Sequence, residues 1–310
     1  MKVFENISNI ENIKNCVLTI GGFDGMHLGH TKVLDVLVNE SKRKQCLSSL
    51  VTFFPSPAFF IRPQKFLGHI DTKKERIKKI KDKGIDILCI IPFDKEVKKI
   101  TADSFLKNII IEKFNPSTII VGYDHHFGLN REGNYSFLKK NQKSYGYRLL
   151  KVEKLSTNDR DVSSSNIRDL IKKSNFKAAN ALLGEPFALK GIVVRGKGLG
   201  SKIGFPTSNI KIDKHKLIPE KGAYIVKVSI GKAKYKGICN IGHAPTISNK
   251  EEIKIEVHII DFDNIIYDKL ISIEFCCFLR PENKFPNIEV LKKQLFKDRN
   301  KCLEYSFDNS

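Results

Sequence analysis

What the chain does not contain narrows it first. Nowhere in its 310 residues does an apolar stretch approach the roughly 20 residues that a membrane-spanning helix needs. Residues Met1 to Ile7 lack the apolar core of a secretory signal. The seven cysteines (Cys16, Cys46, Cys89, Cys239, Cys276, Cys277 and Cys302) are odd in number, and no two stand in C-x-x-C spacing. Most lie in apolar runs such as Ile87-Leu88-Cys89-Ile90-Ile91. That usage argues against disulfide staples and zinc sites, and for small buried hydrophobes in a reducing, cytoplasmic compartment. Internal repeats and low-complexity tracts are also missing. Acidic residues are scarce, 34 against 54 Lys and Arg, which leaves a formal net charge of +20. Such an excess raises a basic RNA-binding module as one reading. Against it, the lysines are spread through every segment, with no single basic arm and no aromatic-rich RNA motif. A solvated basic surface is expected, with no nucleic-acid and no membrane partner, and the oligomeric state is not legible.

What is present falls into two textures. Up to Leu183, apolar runs at 16–20, 49–54, 85–91, 117–122 and 147–152 alternate with helical patterns at 28–40, 73–83, 101–114 and 135–143. Strand–helix alternation with wholly apolar strands predicts an α/β domain with a parallel sheet covered on both faces. Two short helical patterns, 166–173 and 176–183, then meet Gly184-Glu185-Pro186. Beyond it lie β-rich runs at 187–195, 223–230, 235–241, 253–262 and 270–279, without crossover helices, and one helix at 288–305. This predicts a small antiparallel β-barrel with a terminal helix. The boundary is set at Gly184, giving domains 1–183 and 184–310.

The densest chemistry stands in the first turn, GGFDGMHLGH at 21–30. Gly21-Gly22 permits a sharp turn and close approach to a ligand. His27 and His30 are three apart, so they share a face of the helix's first turn. Gly29 between them leaves room for phosphate, and the helix start favours an anion. This suits nucleotidyl transfer, where positioning and charge stabilisation do most of the catalysis. The bland alternative is two surface histidines at a helix start. A zinc site completed from His125-His126 is disfavoured.

The stretch resembles the first signature of the nucleotidyltransferases that are similar to class I aminoacyl-tRNA synthetases. More narrowly, it resembles the bacterial bifunctional riboflavin kinase/FAD synthetase family. VGYDHHFGLNREGN (121–134) is similar to that family's flavin-side loop, and VSSSNIRDLI (162–171) to its second nucleotide signature. The resemblance runs over nearly the whole chain. It implies a Rossmann-like nucleotidyltransferase domain that transfers AMP from ATP to FMN and releases pyrophosphate. His27 and His30 would act on the ATP phosphates. Gly22, Phe23, Asp24 and Gly29 would form the nucleotide pocket, with Ser164, Ser165 and Arg168 gripping phosphate from the other side. Asp124, Phe127 and Asn130 would lie near the flavin. Each has a plain structural alternative: helix cap, turn residue, core ring or surface charge. In TFFPSPAFF (52–60), Ser56 stands where the family usually has histidine, and Phe54 replaces a common acid. A hydroxyl carries neither the proton nor the charge of an imidazole, so a weakened adenylyl step is one expectation.

In the second half, Gly191 to Lys197 fits the opening of a P-loop but is followed by Gly198, where Ser or Thr must meet magnesium. The stretch GKGLGSKIGFPTSN (196–209) is the more informative. Its glycines free backbone N–H groups to wrap phosphate, while Thr207 and Asn209 offer two neutral oxygens for Mg²⁺. It resembles the ATP signature of riboflavin kinases, which places Gly198, Gly200, Lys202, Thr207 and Asn209 at the nucleotide. KIEVHIIDF (254–262) is similar to their catalytic strand, and Glu256 would there be the general base on the ribityl hydroxyl. Its alternative is an outward glutamate on an alternating strand. His243, Ala244 and Asp268 depart from the usual Thr, Arg and Gly. The implied ligands are riboflavin, FMN, FAD and ATP, with a divalent cation. A kinase with an idle adenylyl site is the alternative within the family.

Overall fold

In the computed structural model, residues 1–10, 13, 15–157, 160–196, 198–244 and 252–307 are described, with backbone only at 157, 160, 199, 202, 244 and 252. The chain divides into two compact units, Met1–Asn166 and Ile167–Ser310.

In the first unit the apolar runs become β1 (Lys2–Phe4), β2 (Cys16–Ile20), β3 (Leu47–Phe53), β4 (Ile87–Ile91), β5 (Pro116–Gly122) and β6 (Arg148–Val152). They form one sheet in the order β1-β4-β3-β2-β5-β6, parallel at every pairing. Every residue of β2 and β4 is buried, as both-face coverage requires. Alternate side chains of β2 feed separate cores: Cys16, Leu18 and Ile20 on one face, Val17 on the other. The connections are α1 (Leu28–Arg43) after β2, then α2 (Pro57–Ile61) and α3 (Lys73–Asp82) after β3. After β4 come α4 (Ala102–Ser104), a π-helical stretch Phe105–Ile111, and α5 (Glu112–Phe114). The sequence reads this whole stretch as one helix, and the π spacing is a local widening within it. Finally α6 (Tyr135–Tyr145) leads into β6, and a two-stranded hairpin follows, β7 (Ser156–Thr157) with β8 (Arg160–Asp161).

From β2 the chain moves outward through β3 to β4, then returns to place β5 on the other side of β2. Strand order therefore reverses between β2 and β5. Open α/β sheets bind ligands at the carboxyl ends of the strands flanking such a reversal.

Helix α7 (Ser164–Lys172) spans the division, and α8 (Phe176–Leu183) ends at Gly184, whose φ of 81° is the left-handed helix stop that glycine favours. Phe176 stacks on Phe275 at 5.2 Å between centroids and meets Tyr224 edge-on at 5.8 Å. The β-rich runs form β9 (Ala188–Val194), β10 (Ser208–Ile212), β11 (Gly222–Ile230), β12 (Ala233–Ala244), β13 (Glu252–Ile259) and β14 (Leu270–Arg280). They close a barrel in the order β10-β13-β12-β11-β14-β9, antiparallel at every pairing. Closure removes the open edges that invite mispairing. Between β9 and β10 lies α9 (Leu199–Lys202), and the last helix is α10 (Ile288–Glu304). Four strands go unread in the sequence, among them β7 and β8, which are two residues each. β1 is only three residues on a sheet edge, and β10 is a short, half-polar run hidden behind the Gly-Pro signals at 204–206. Gly191, where the apparent P-loop starts, lies inside β9. A Cβ there would come within 2.5 Å of the Lys211 carbonyl on β10, so this glycine serves strand contact.

Asp268 has φ +62°, left-handed backbone that costs an ordinary L-residue free energy. Its N–H donates to the Val193 carbonyl at 2.9 Å, which fixes that conformation. The substitution Asp268→Gly is expected to stabilise the barrel by about 0.5–1 kcal/mol, after the entropy a glycine loses. Calorimetry would show this as a rise in the barrel's Tm. A fall would mean that the aspartate side chain contributes more than its backbone strain costs.

Candidate active sites

The turn joining β2 to α1 departs from regular backbone at three positions. Phe23, Gly25 and Met26 all have positive φ, 46°, 85° and 40°. Only Gly25 escapes the Cβ penalty, and a Cβ there would meet Ile70 at 2.9 Å. Residues in such conformations persist where surrounding contacts over-determine them. Here those contacts converge on Asp24, which is buried. Its carboxylate accepts from the Ile70 and Asp71 N–H groups at 3.2 and 3.0 Å and from Arg76 Nη2 at 2.9 Å. Arg76, also buried, donates through Nη1 to the carbonyls of Gly22 (2.9 Å) and Phe53 (3.1 Å), and its guanidinium lies 5.4 Å from the Phe54 ring centroid. A capping box between Thr72 and Glu75 starts α3, and Arg76 follows it directly. The Thr52 hydroxyl also donates to the Gly22 carbonyl at 3.0 Å. Asp24 thus holds the turn and does not line the cavity beside it.

His27 caps α1. Its Nδ1 accepts the His30 N–H at 3.2 Å, so a neutral His27 carries its proton on Nε2. The two rings stack at 3.6 Å, and Phe23 covers His30 at 4.9 Å. A Cβ on Gly29 would come within 3.2 Å of the His27 ring, so glycine leaves the pair room to stack. A cavity of about 240 Å³ opens here, lined by His27, Gly29, His30, Asp124, Ser164 and Ser165 among others. It lies at the strand-order reversal, with Gly122 at the end of β5 in its wall. The Ser164 hydroxyl donates to the Asp24 carbonyl at 2.8 Å, tying the start of α7 to the turn. Arg168 follows one turn along α7, beyond the unit boundary.

A second cavity, about 310 Å³, is lined by Phe53, Ile61, Phe93, Val97, Phe105 and Asn130 together with their neighbours. It is an apolar slot with Lys98 and Arg131 in its wall. The flavin-loop residues are distributed between the two cavities. Asn130 lines the slot and Asp124 the phosphate-side cavity, while Phe127 is buried against Phe105 (5.4 Å) and Phe137 (6.0 Å) as support. The aromatic walls of the slot are absent from the sequence reading, because each looks like an ordinary core residue. Arg76 is missed too, sitting in a lysine-rich helix that reads as a solvated face. Ser56 uses its hydroxyl to cap α2, accepting from the Ala58 N–H, and Phe54 stacks on the buried His69 at 4.8 Å.

In the barrel, Gly198 (φ 68°) precedes α9 and Gly200 lies within it. A Cβ on Gly200 would approach the Phe205 carbonyl and, at 3.2 Å, the Thr207 hydroxyl. A Cβ on Gly196 would collide with the Asn209 amide. Glycine backbone thus lies close against the Thr207 hydroxyl and the Asn209 amide group. Lys202 ends α9, and its side chain lies outside the described residues, as do that of Ala244 and all of Lys197. Asn209 on β10 stands opposite Glu256 on β13, which stands opposite Asn240 on β12. Directly opposed residues share a face, so a carboxylate and two amides form one row. Lys254 pairs with Glu256 at 2.5 Å. His243 faces Ile253 across β12 and β13. Beside Thr207 a cavity of about 300 Å³ is lined by Val193, Ser201, Pro206, Ile259 and Tyr267 among others. Among the described residues no cluster of three His, Cys, Asp or Glu gathers to hold a metal. All seven cysteines are free thiols. Burial pushes Cys16 and Cys89 up to about 12, far from nucleophilic use.

Comparison with known proteins bears on both units. Residues 9–166 match the family described as FAD synthetase, and residues 183–306 match the family described as riboflavin kinase. A bifunctional riboflavin kinase/FMN adenylyltransferase from Buchnera aphidicola subsp. Schizaphis graminum is 36% identical over 303 residues, 96% of each chain. The protein of that name from Escherichia coli K12 is 30% identical over 308 residues, 98% of each chain. Among solved structures, one named macrolide-efflux protein, from Streptococcus pneumoniae, is similar with a TM-score of 0.86 and 28% identity, over 98% of this chain and 99% of that one. That likeness concerns the fold, and the efflux name remains that protein's own. Among the described residues no helix is long and apolar enough to cross a membrane.

His125, between the two cavity-lining stretches, has an Nε2 that is buried without a hydrogen-bond partner among the described residues. Burial, with His126 adding repulsion, pushes its pKa down to about 4. A histidine whose pKa is depressed by folding stabilises above its unfolded value of about 6.5 and loses that stability as pH falls toward the folded value. The first unit is expected to lose roughly 1–3 kcal/mol from this group between pH 6.5 and 4. His125→Phe should remove that part of the decline in thermal melts. Identical pH dependence in the variant and the parent would contradict the assignment.

Proposed function

The chain belongs to the bifunctional riboflavin kinase/FMN adenylyltransferase family, and on that premise we propose how its two sites divide the work. The protein phosphorylates riboflavin to FMN and adenylylates FMN to FAD, using ATP in both reactions. We assign adenylylation to residues 1–183 and phosphorylation to residues 184–310. The observation that carries the assignment is the convergence of His27, His30, Ser164 and Ser165 on one cavity at the strand-order reversal.

In the adenylyl half, the apolar slot takes the isoalloxazine ring, with Asn130 as a polar contact. The FMN phosphate then faces the cavity of His27 and His30. One of its oxygens attacks the α-phosphorus of ATP, and the bond to the β-phosphate oxygen breaks, releasing pyrophosphate. His27 donates from Nε2, because its Nδ1 is engaged by the His30 N–H. His30 stacks against it and supports the phosphates from the same helical turn. Ser165 grips phosphate oxygens, Ser164 orients the start of α7 through its bond to the Asp24 carbonyl, Gly22 and Phe23 form the wall of the turn, and Asp124 accepts from a sugar hydroxyl. These groups act by positioning and by stabilising charge that develops at the transition state.

In the kinase half, ATP lies in the cavity beside Thr207, with phosphates against the loop of Gly198, Gly200 and Lys202. Glu256 takes the proton of the ribityl 5′-hydroxyl as that oxygen attacks the γ-phosphorus, and ADP leaves. Thr207 and Asn209 would hold Mg²⁺ as hard oxygen donors, on a loop where glycine backbone leaves no room for a side chain beside them. When bound there, Mg²⁺ neutralises charge on the phosphates. A kinase with an idle adenylyl site remains the second reading, favoured by Ser56, whose hydroxyl only caps a helix where the family has an imidazole.

Two variants separate the halves. Glu256→Gln is expected to lower FMN formation by about 10²–10⁴-fold and to spare FAD formation from supplied FMN. His27→Ala combined with His30→Ala should do the reverse. Riboflavin phosphorylation at the parent rate by Glu256→Gln would remove Glu256 as the base. Retained FAD synthesis in the double-histidine variant would remove the histidine pair from the adenylyl step.

A further inference from the structure

We infer that Arg76 is a positioning residue for the adenylyl step, tying the apolar slot to the phosphate-side cavity and thereby setting the approach of the FMN phosphate to the α-phosphorus. The inference rests on the assignment of adenylyl transfer to the first unit. Arg76 touches neither cavity; it acts through the groups that form their walls.

The path can be followed bond by bond. Phe53 lines the slot, and its carbonyl accepts from Arg76 Nη1 at 3.1 Å. The same nitrogen holds the Gly22 carbonyl at 2.9 Å, at the entry to the histidine turn. Arg76 Nη2 holds the Asp24 carboxylate at 2.9 Å. The Asp24 carbonyl in turn accepts the Ser164 hydroxyl at 2.8 Å, and Ser164 lines the phosphate-side cavity. One buried cation therefore fixes the end of β3, the end of β2 and the start of α7 together.

The bonding pattern differs from that of a simple ion pair. A guanidinium satisfied by one carboxylate pairs side by side, through two nitrogens. Arg76 gives Asp24 one nitrogen and spends the other on two strand-end carbonyls. Its Nε is buried with no hydrogen-bond partner among the described residues, a cost that side-on pairing through Nε would avoid. Its orientation is thus dictated by the carbonyls of Gly22 and Phe53. A lysine is a point charge on a flexible stem and cannot reproduce this fork.

The test uses the full chain, with Arg76→Lys, Ser164→Ala and the double variant. FAD formation is measured with FMN and ATP supplied. Riboflavin phosphorylation in the same preparations serves as the internal control. For Arg76→Lys, kcat of FAD formation is expected to fall about 10²-fold, the effect of misplacing reacting groups by about 1 Å. KM for FMN and ATP should stay within about threefold, and the kinase rate should not change. If Arg76 and Ser164 act through one network, the double variant should be little worse than the poorer single one. Unchanged kcat in Arg76→Lys would overturn the inference, as would a rise in KM at constant kcat, or effects that simply multiply. Should Arg76→Lys lose the first unit's thermal transition, Arg76→Gln combined with Asp24→Asn, which leaves neither charge unpaired, replaces it in the same cycle with the same criteria. A parent protein that makes no FAD would instead overturn the assignment of adenylyl transfer.

Discussion

The buried pair of Asp24 and Arg76 is the interaction on which the first unit's chemistry depends. Placing two imidazoles and a helix N-terminus at the end of a buried strand requires the chain to turn within a few residues. That turn puts Phe23, Gly25 and Met26 into left-handed backbone, which is costly for the two that are not glycine. The Asp24 carboxylate offsets the cost by taking two backbone N–H groups and one guanidinium nitrogen. Removing one partner of such a buried pair leaves an uncompensated charge, a loss of about 3–5 kcal/mol. Rigidity at this point keeps the His27 and His30 rings stacked at 3.6 Å.

The barrel reaches a similar end by a different route. Its key groups stand on neighbouring strands, so antiparallel register alone aligns Asn209, Glu256 and Asn240. Glycine supplies the rest. Gly196 and Gly200 press backbone against Asn209 and Thr207, where any side chain would fill the space. One site is thus positioned by a buried ionic clamp on a crossover turn, the other by strand register and absent side chains.

Much of this was legible in the sequence, for identifiable reasons. Wholly apolar strands such as Ile87–Ile91 allow only a covered parallel sheet, and that sheet formed. The change of texture after Gly184 announced an antiparallel barrel, and the barrel closed. The signatures at 21–30, 162–171 and 196–209 stood out because glycine, histidine and serine were concentrated where plain secondary structure needs none of them. Strand β10 stayed hidden because turn signals at 204–206 mask five half-polar residues. The slot walls stayed hidden because Phe53, Phe93 and Phe105 are indistinguishable in sequence from core. Arg76 could not be read at all: among the lysines of α3, only the fold shows which cation is buried. Asp124 and Phe127 belong to one motif, yet the backbone from 122 to 131 sends them to a cavity wall and to the core.

Two separate sites act in sequence on one flavin. The most direct test is to incubate the purified full-length protein with riboflavin, ATP and Mg²⁺ and to separate the flavins by chromatography over time. FMN is expected to rise first and FAD to follow, with pyrophosphate appearing in step with FAD. FMN accumulating without FAD would contradict it, leaving the histidine turn as an idle site on a working kinase.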